Sequence, residues 1–456
     1  MSEHLFRSAA LDEPPLPPQY VDRLVAAGRA SVRRRRAGAV LCVLALLVAG
    51  LALVLPGRPP SVPAVPPVPA GSPSLPDRIA PYSTLTSTVS RSPGGRAVML
   101  YQFGSGEVFN MFQPLALGAD RDTYRQLDAA EGRRGIRPWL LSPDGTTAVV
   151  TASVDPVHAL TLVDLRTGRR RSVPLPSPAG ALPLAFSPDG RTLAYAAVPM
   201  PPSDQYADVT SEVRRTGVLV LVDLDTGRGS TLSGVTPVLA ASFSPDGQLL
   251  AVQTGPQVRI VDRAGAAVRT VDLPAEHILT SNAAWSPDGR LLAATGATAS
   301  PGGPDIIEYH RRIVFADATG AGGPVPEPVA AEEMLGWRAP DRILAQVAAD
   351  DGAGELRDLP VTGGPGTVLS RFDPGNTCEL GLSSCQAYEI RMATGLLPSL
   401  AVRPADADRG PWPRWTTVTV TAVSVLLALL ALLVYRWIRG RRRRRRRMDG
   451  GAPSPW

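Results

Sequence analysis

The segment ASFSPDGQLLAVQT, residues 241–254, carries the motif that decides the fold. An aromatic residue precedes the tetrapeptide Ser-Pro-Asp-Gly, and a short apolar run follows it. Proline fixes φ at the first turn position, aspartate can hydrogen-bond the backbone of the turn, and glycine accepts the left-handed conformation that closes a three-residue hairpin. The segment therefore predicts two antiparallel β-strands joined by a tight turn.

This motif recurs along the chain. Intact copies occupy residues 142–145, 187–190, 244–247 and 286–289, and degenerate copies occupy residues 92–95 and 339–342. A second repeated feature is an apolar run that ends in Asp and a turn, at residues 160–168, 219–227, 258–265 and 312–320. Val, Leu, Ile and Thr bounded by Gly, Pro and Asp are typical of strands. Each repeat of about 40–57 residues therefore predicts four short strands, the content of one β-propeller blade.

The tetrapeptides are predicted to be structural turns. Their residues in the four intact copies are Ser142, Pro143, Asp144, Gly145, Ser187, Pro188, Asp189, Gly190, Ser244, Pro245, Asp246, Gly247, Ser286, Pro287, Asp288 and Gly289. A catalytic or metal-binding role for the four aspartates is the alternative hypothesis.

With these turns the chain resembles the TolB-type, WD-repeat-like β-propellers. The matching residues are the SPDG turns and the V-D-L-x-T-G turns, and the resemblance covers about residues 80–403. It implies an all-β propeller of four-stranded blades. Six motif copies favour six blades, whereas residues 366–403 could complete a seventh blade or close the ring with a strand near residues 83–89.

Two departures limit what this resemblance implies. TolB has a small α/β domain before its propeller, whereas residues 56–76 contain nine Pro in 21 residues and predict a stiff, extended linker. The known periplasmic partners of TolB are therefore not implied. Propeller-bearing serine peptidases append a hydrolase domain, but here about 70 residues follow the last motif before the next apolar stretch, and no G-x-S-x-G occurs.

Two uncharged apolar stretches, residues 37–55 and 415–435, approach the ~20 residues that a membrane-spanning helix needs. Arginines lie at the outer end of both, so the positive-inside rule predicts that both chain ends are cytoplasmic. The predicted segments are a cytoplasmic tail (1–36), a transmembrane helix (37–55), a Pro-rich linker (56–79), an extracytoplasmic propeller (80–403), a linker (404–414), a transmembrane helix (415–435) and an Arg-rich cytoplasmic tail (436–456). The predicted location is the plasma membrane.

The net charge of +6 belongs to the tails. The formal charge is +3 for residues 1–36, −5 for the middle of the chain and +8 for residues 436–456. Nucleic-acid binding by a basic folded surface is therefore not indicated, whereas the Arg-rich tail is expected to attract anionic lipid headgroups. The absence of Lys from the sequence excludes Schiff-base lysine chemistry and the P-loop lysine.

Loops on the propeller end opposite the SPDG turns are the candidate binding surface, because loops on a rigid scaffold often carry binding. Two of the connections between second and third strands are long, at residues 199–216 and 300–311. The candidate ligand- or partner-binding residues are Asp155, His158, Asp204, Tyr206, Asp208, Asp305, Glu308, Tyr309, His310, Asp350 and Asp351. Ordinary solvated loops are the alternative interpretation.

Cys378 and Cys385 lie seven residues apart on the predicted exported side, and an oxidising compartment favours a disulfide between them. Two free thiols are the alternative. No metal or other cofactor is expected, because the four His and three Cys show no tight metal-ligand spacing.

The favoured function is a non-enzymatic binding or interaction scaffold in the cell envelope, whose partner would be a protein or an envelope ligand. The first alternative is a transmembrane sensor that relays an external signal to the cytoplasm, linked in one version to a sigma factor. The second alternative is an envelope enzyme, such as a lyase or hydrolase, that uses residues of the propeller channel.

Overall fold

The structure is a computed structural model of the 456-residue chain. It describes residues 71–81, 83, 85–103, 113–130, 138–151, 156–198, 213, 215–303, 306–349, 354–372 and 387–448. The chain divides into two units, residues 1–63 and residues 64–456, and the described residues all belong to the second. The first predicted membrane span, 37–55, and the predicted Cys378–Cys385 disulfide lie outside the described residues.

Short strands make up nearly all of the described chain. The first group is β1 (Ser74–Pro76), β2 (Arg78–Ile79), β3 (Ala97–Phe103), β4 (Gln113–Gly118), β5 (Tyr124–Gln126), β6 (Trp139–Leu141), β7 (Thr147–Val150) and β8 (Val157–Asp164). The second group is β9 (Arg170–Phe186), β10 (Thr192–Val198), β11 (Val218–Asp223), β12 (Gly229–Leu232), β13 (Ala240–Phe243), β14 (Leu249–Thr254), β15 (Gln257–Asp262) and β16 (Ala267–Asp272). The third group is β17 (His277–Leu279), β18 (Leu291–Gly303), β19 (Ile306–Asp317), β20 (Val329–Ala330) and β21 (Glu333–Ala339). The last group is β22 (Arg342–Ala348), β23 (Gly354–Pro360), β24 (Thr367–Phe372), β25 (Ala387–Met392) and β26 (Ala401–Arg403).

The strands pair mainly with their neighbours in the chain. Within the described residues, three sheets contain four strands each, in the orders β25–β3–β4–β5, β13–β14–β15–β16 and β17–β18–β19–β20. A five-stranded sheet has the order β2–β24–β23–β22–β21, and a seven-stranded sheet contains β6 to β12 in sequence. The predicted all-β, propeller-like arrangement is therefore confirmed.

The seven-stranded sheet combines two repeats through one long strand. The first part of β9, from Arg170 to Ala179, pairs with β8, and the second part, from Gly180 to Phe186, pairs with β10. Pro174, Pro176 and Pro178 lie in this strand. Proline and the residue before it favour extended backbone, so the link between the two repeats continues as a strand instead of forming a loop.

The first strand of each repeat, which we call its inner strand, follows that of the preceding repeat around a closed ring. β25 contacts β6, β6 contacts β9, and β13 contacts both β9 and β17. β21 contacts β18 of the preceding sheet on one side and β25 on the other. Ring closure is made by β25, from the C-terminal part, which pairs antiparallel with β3. The closing partner is thus residues 97–103, not the strand near residues 83–89 that the sequence suggested.

The four SPDG turns share one hydrogen-bond pattern. The Ser Oγ donates to the Asp Oδ1 at 2.5–2.6 Å in every copy. The same Asp Oδ1 accepts the backbone N–H of the residue after the glycine, at 3.0–3.1 Å. The four glycines have φ between +69° and +73°, in the left-handed region that favours glycine. Each turn therefore joins the first strand of a repeat to the second and satisfies its own polar groups.

Buried apolar residues fill the space between neighbouring sheets, and buried polar groups link them. Tyr101, Tyr124 and Tyr195 are among the largest fully buried side chains. Trp285 Nε1 donates to the carbonyl of Ser242 in the preceding sheet at 3.0 Å. Trp337 Nε1 in turn donates to the carbonyl of Ala284 at 3.2 Å. These bonds join the segments that precede three successive turns, at residues 244–247, 286–289 and 339–342, and they satisfy the buried indole N–H groups.

The segment 300–311 differs from its prediction as a loop. β18 and β19 pair from Leu291↔Asp317 to Gly303↔Ile306, with one register shift between Pro301 and Gly303, so the described part of this segment belongs to one long hairpin. The neighbouring strands are short, since β17 pairs only with residues 294–296 and β20 pairs only with Arg312 and Ile313. Gly, Pro and Asp at 302–305 suggested a loop, but the flanking β-branched and aromatic residues continue the ladder on both strands.

The described parts of both segments assigned to linkers, residues 71–79 and 404–414, are attached to the propeller. β1 pairs in parallel with β26, and β2 pairs in parallel with β24. Residues 404–413 run along the sheet that contains β3, β4 and β5. Both segments were predicted as linkers, but the backbone groups of their described residues find partners on a sheet edge that no local pattern reveals.

The chain continues from this edge into a helix, α1 (Arg414–Met448), of 35 residues. Within the part of the chain that the structure describes, one segment is long and apolar enough to cross a membrane, Thr421–Arg441, with a mean hydropathy of 2.1. None of it is buried against the rest of the protein. Its exposed apolar side chains include Leu426, Leu430 and Leu433.

Candidate functional site

The ring has two ends of different construction. Because strands within each repeat are antiparallel, the SPDG turns and the turns between third and fourth strands lie at one end, which we call the turn face. The connections between second and third strands lie at the opposite end, which we call the mouth face. Most of the candidate binding residues were assigned to the mouth face.

Three charged side chains on two inner strands meet towards the mouth face. Arg391 Nη2 donates to Glu389 Oε2 at 2.7 Å, and Arg391 Nη1 donates to Glu333 Oε1 at 3.4 Å. Glu333 is the first residue of β21, whereas Glu389 and Arg391 lie in β25. We call these three residues the mouth cluster. It crosses the seam where the last inner strand closes the ring.

The backbone of β25 is irregular at this cluster. Glu389 has φ of +51°, which non-glycine residues rarely adopt. The pairing with β3 shifts between Tyr388 and Arg391, so two β25 residues oppose one residue of β3. Such a β-bulge redirects side chains and is common next to functional sites. A left-handed Glu in a strand is strained, and such strain persists only where the surrounding structure holds it.

The electrostatics of the cluster centre on Glu333. Burial raises the pKa of its carboxyl, and the nearby Glu389 raises it further, while Arg391 and Arg311 oppose the shift. The Glu333 side chain is nevertheless 37% exposed, so water reaches a carboxylate that protein surrounds. Arg311 also lies 3.6 Å from Glu332. Three carboxylates and two guanidinium groups leave one excess negative charge, which suits a cationic group on a ligand.

The structure describes only some of the predicted site residues. Asp155, Asp204, Tyr206, Asp208, Asp305, Asp350 and Asp351 lie outside the described residues. His158 is exposed, one residue after the start of β8. Glu308, Tyr309 and His310 pair with Ser300, Ala299 and Thr298 in the long β18–β19 hairpin. The described part of the chain brings none of these residues into the mouth cluster.

Sequence reasoning missed the mouth cluster for two separate reasons. Glu333 had a usable signal, because an inner strand that precedes the degenerate 339–342 turn must begin on the mouth face. Glu389 and Arg391 had none, because no SPDG copy follows β25. Their strand position depends on pairing with β3, which lies about 290 residues earlier in the sequence.

Metal binding has no support in the described residues. Among them, no group of three or more His, Cys, Asp or Glu side chains is arranged to hold a metal ion. The turn aspartates make local contacts instead. Hydrogen bonds from Ser187 and from the backbone of Arg191 lower the pKa of Asp189, and those from Ser244 and Gln248 lower the pKa of Asp246.

Comparisons with known proteins found similar solved structures but no sequence relative. No protein-family model matches the chain, and no curated protein matches its sequence. Among solved structures, TolB from Acinetobacter baumannii is 16% identical, with a TM-score of 0.41, over 66% of this chain and 67% of that one. An oligogalacturonate lyase in complex with manganese is 14% identical, with a TM-score of 0.39, over 63% of this chain and 78% of that one. The β-propeller domain of a Pyrococcus furiosus protease is 12% identical, with a TM-score of 0.33, over 51% of this chain and 70% of that one.

The class of structure follows from the sheets themselves. Consecutive antiparallel sheets arranged in a closed ring define a β-propeller, and the predicted β-propeller fold is confirmed by the sheets themselves. A propeller fold serves many unrelated functions, so function has to be argued from the site.

Proposed function

We propose that this protein is a membrane-anchored, extracytoplasmic β-propeller that acts as a non-enzymatic binding scaffold in the cell envelope. The mouth face binds the partner, and the mouth cluster contacts a cationic group on it. The partner is a protein or another envelope ligand. The observation that carries this proposal is the mouth cluster itself.

Three features of the cluster support a binding role. Its side chains lie on strands of the ring, and sites on strands are held more precisely than sites on loops. Its charges come from two strands that meet at the ring seam, and Glu389 is held in a strained conformation. Burial raises the pKa of the Glu333 carboxyl, and carboxyls with perturbed pKa values cluster at functional sites.

The propeller in this proposal has six blades. Dividing the long β9 between two repeats yields six groups of four antiparallel strands, each beginning with one inner strand. The inner strands are β25, β6, the second part of β9, β13, β17 and β21. Residues 366–403 then supply β24 to the sixth group and β25 to the first, instead of a seventh blade.

The membrane part of the proposal rests on α1 and on charge. α1 contains an apolar, unburied stretch long enough to span a bilayer, and arginines follow it. Together with residues 37–55 it would anchor the plasma-membrane protein at both ends, with cytoplasmic tails and an Arg-rich segment against anionic lipid. The Cys378–Cys385 disulfide belongs to the same proposal, since it requires the oxidising side.

The binding test uses the full chain in lipid nanodiscs as bait for an envelope fraction. The variants are Glu333→Gln with Glu389→Gln, which remove the negative charge of the mouth cluster, and Arg228→Ala, a control at an exposed turn-face residue. We expect the wild type and the control to retain the same partner, and the double variant to lose it several-fold. Equal retention by all three proteins would show that the mouth cluster is not the site.

A transmembrane sensor is the second candidate function. Arg91 Nη1 donates to the carbonyl of Trp412 at 2.6 Å, two residues before α1 begins. The propeller is therefore tied directly to the start of the helix, which is the connection a sensor needs. Partner binding that changes cross-linking between the cytoplasmic ends of two chains would favour this candidate over a passive scaffold.

A further inference from the structure

The chain that leads into α1 is fastened to the turn face. Thr123 bridges Asp408 in parallel, and Tyr124 N–H donates to the Asp408 carbonyl at 2.8 Å. Ser87 N–H donates to the carbonyl of Arg409 at 2.8 Å. Residues 119–123 form the turn between β4 and β5, which is a third-to-fourth-strand turn. The segment before the helix therefore lies along the turn face.

Two arginines hold this segment in place. Arg125 Nε donates to the Ser92 carbonyl at 2.6 Å, and its Nη1 donates to the Asp408 carbonyl at 2.8 Å. Its Nη2 lies 3.0 Å from Asp408 Oδ2, and the Arg125 side chain is only 6% exposed. Arg91 binds the Trp412 carbonyl, as described above. Only Pro413 separates this last attachment from α1, so the helix leaves the propeller without a slack linker.

The N-terminal side of the propeller is fastened at the same end. Arg96 Nη2 donates to the Gly71 carbonyl at 2.9 Å, and Ser74 N–H donates to the Ala119 carbonyl at 2.9 Å. Arg403 Nη1 donates to the Ser74 carbonyl at 2.7 Å and so joins β26 to β1. The described chain therefore enters and leaves the propeller beside the same turn-face edge.

The distance from this edge to the apolar part of α1 is short. α1 begins at Arg414, and the apolar segment begins at Thr421. Seven helical residues span about 10 Å at ~1.5 Å per residue. The headgroup layers add about 10–15 Å in total to a hydrocarbon core of ~30 Å, so this spacer leaves room for little more than one headgroup layer.

We propose that the turn face lies against the lipid headgroups and that the mouth cluster points away from the membrane, into the extracytoplasmic space. This orientation rests on the proposed membrane anchoring. The opposite orientation would require breaking the Arg125 and Arg91 attachments. A partner therefore approaches the mouth face from the envelope, without competing with lipid.

One strand supplies a matched pair of reporter positions. His158 lies near the mouth-face end of β8, and Arg166 lies in the turn that follows β8 on the turn face; both are exposed. The ends of this strand are about 20 Å apart, because a strand rises ~3.3 Å per residue. His158→Cys and Arg166→Cys are therefore compared in a Cys42→Ala background. The background protein without an added cysteine measures labelling of Cys378 and Cys385.

The full chain is labelled with a fluorophore and reconstituted into phosphatidylcholine vesicles that contain lipid with a nitroxide on the headgroup. We expect strong quenching at position 166 and several-fold weaker quenching at position 158. Stronger quenching at position 158, or equal quenching at both, would overturn the orientation while the protein still floats with the vesicles. Failure to float would overturn the membrane anchoring, and the orientation with it.

Discussion

The two faces of the propeller are built on opposite principles. On the turn face, each SPDG turn satisfies its charge within five residues of chain, and the same contacts recur in four copies. The mouth cluster occurs once, and its ion pair joins residues 58 positions apart in the sequence. Repeated turns whose polar groups bond within the turn suit a rigid scaffold, whereas a cluster with strained backbone and long-range ion pairs suits a binding site.

The carboxyl pKa values on the two faces shift in opposite directions. Hydrogen bonds lower the pKa of the turn carboxyls, and that of Asp317 falls to about 2. Burial raises the pKa of Glu333. The ionised turn aspartates therefore favour the folded state, whereas ionised Glu333 opposes it. At neutral pH the ionised turn carboxyls therefore contribute stability, whereas burial of the ionised Glu333 carboxyl costs stability.

The largest effect is expected at Arg403, which joins β26 to β1 on the turn face. Arg403 is 8% exposed, donates to the carbonyls of Ser74, Ala119 and Gly118, and lies 3.9 Å from buried Asp122. Arg403→Ala takes the positive charge away from buried Asp122 and removes one hydrogen-bond donor from each of these carbonyls. We expect the free energy of unfolding to fall by about 3–5 kcal/mol, measured by chemical denaturation. Arg121→Ala, at an exposed position of the adjacent turn, is the control and should change stability little.

The second prediction compares two copies of the same turn. An added Cβ at Gly145 would lie 2.0 Å from the Ala97 carbonyl oxygen, whereas one at Gly190 would meet nothing within 4 Å. Both glycines have positive φ, so either alanine costs about 1–2 kcal/mol of stability. Gly145→Ala should lower the free energy of unfolding by a further ~1–3 kcal/mol, because the backbone must shift.

Thermal melts of the two alanine variants measure this difference. Equal melting temperatures would mean that the turn at Gly145 does not pack against β3. That outcome would contradict the described seam between the first two repeats.

The third prediction concerns the aspartate of one turn. Asp189→Asn keeps the side-chain oxygen that accepts from Ser187 and Arg191, so its cost at neutral pH should be below about 1 kcal/mol. The lowered pKa of Asp189 means that its contribution is present above the ordinary value of 3.8 and is lost as pH falls through the folded value. The difference between wild type and variant should therefore shrink in acid.

Denaturation at a series of pH values between neutral and strongly acidic checks this trend. An Asp189→Asn variant that melts as the wild type does, but loses partner binding, would instead make the turn a site.

The smallest effect is expected at Glu333, where stability changes with pH in the opposite direction to that at Asp189. Its raised pKa means that the folded state holds the proton more tightly than the unfolded state does. Stability should therefore decline as pH rises from the ordinary value of 4.5 through the folded value. Glu333→Gln removes this titration, so the variant should gain stability relative to the wild type across that interval. Glu332→Gln is the neighbouring control, and an identical gain there would contradict the assignment to Glu333.

Features that depend on contacts between residues close in sequence could be predicted, whereas features that depend on contacts between distant residues could not. The four turns were predictable because Ser, Asp and Gly act on backbone groups within five residues. The β18–β19 hairpin was predicted only at its base, because the Gly and Pro at 302–304 in the sequence suggested a longer loop than the described pairing allows. The mouth cluster could not be predicted, since Glu389 and Arg391 acquire their positions from a pairing with β3.

The sequence by itself determined the repeated strands, their turns and the apolar helix, because local backbone preference and apolar patterning act over a few residues. The tertiary structure alone decided how the ring closes, where both chain ends attach, and which charges meet at the mouth. Arg403 and Ser74 are 329 residues apart, and β25 meets β3 across almost the whole propeller. Such contacts depend on the geometry of the completed ring, which brings together residues that share no local sequence pattern.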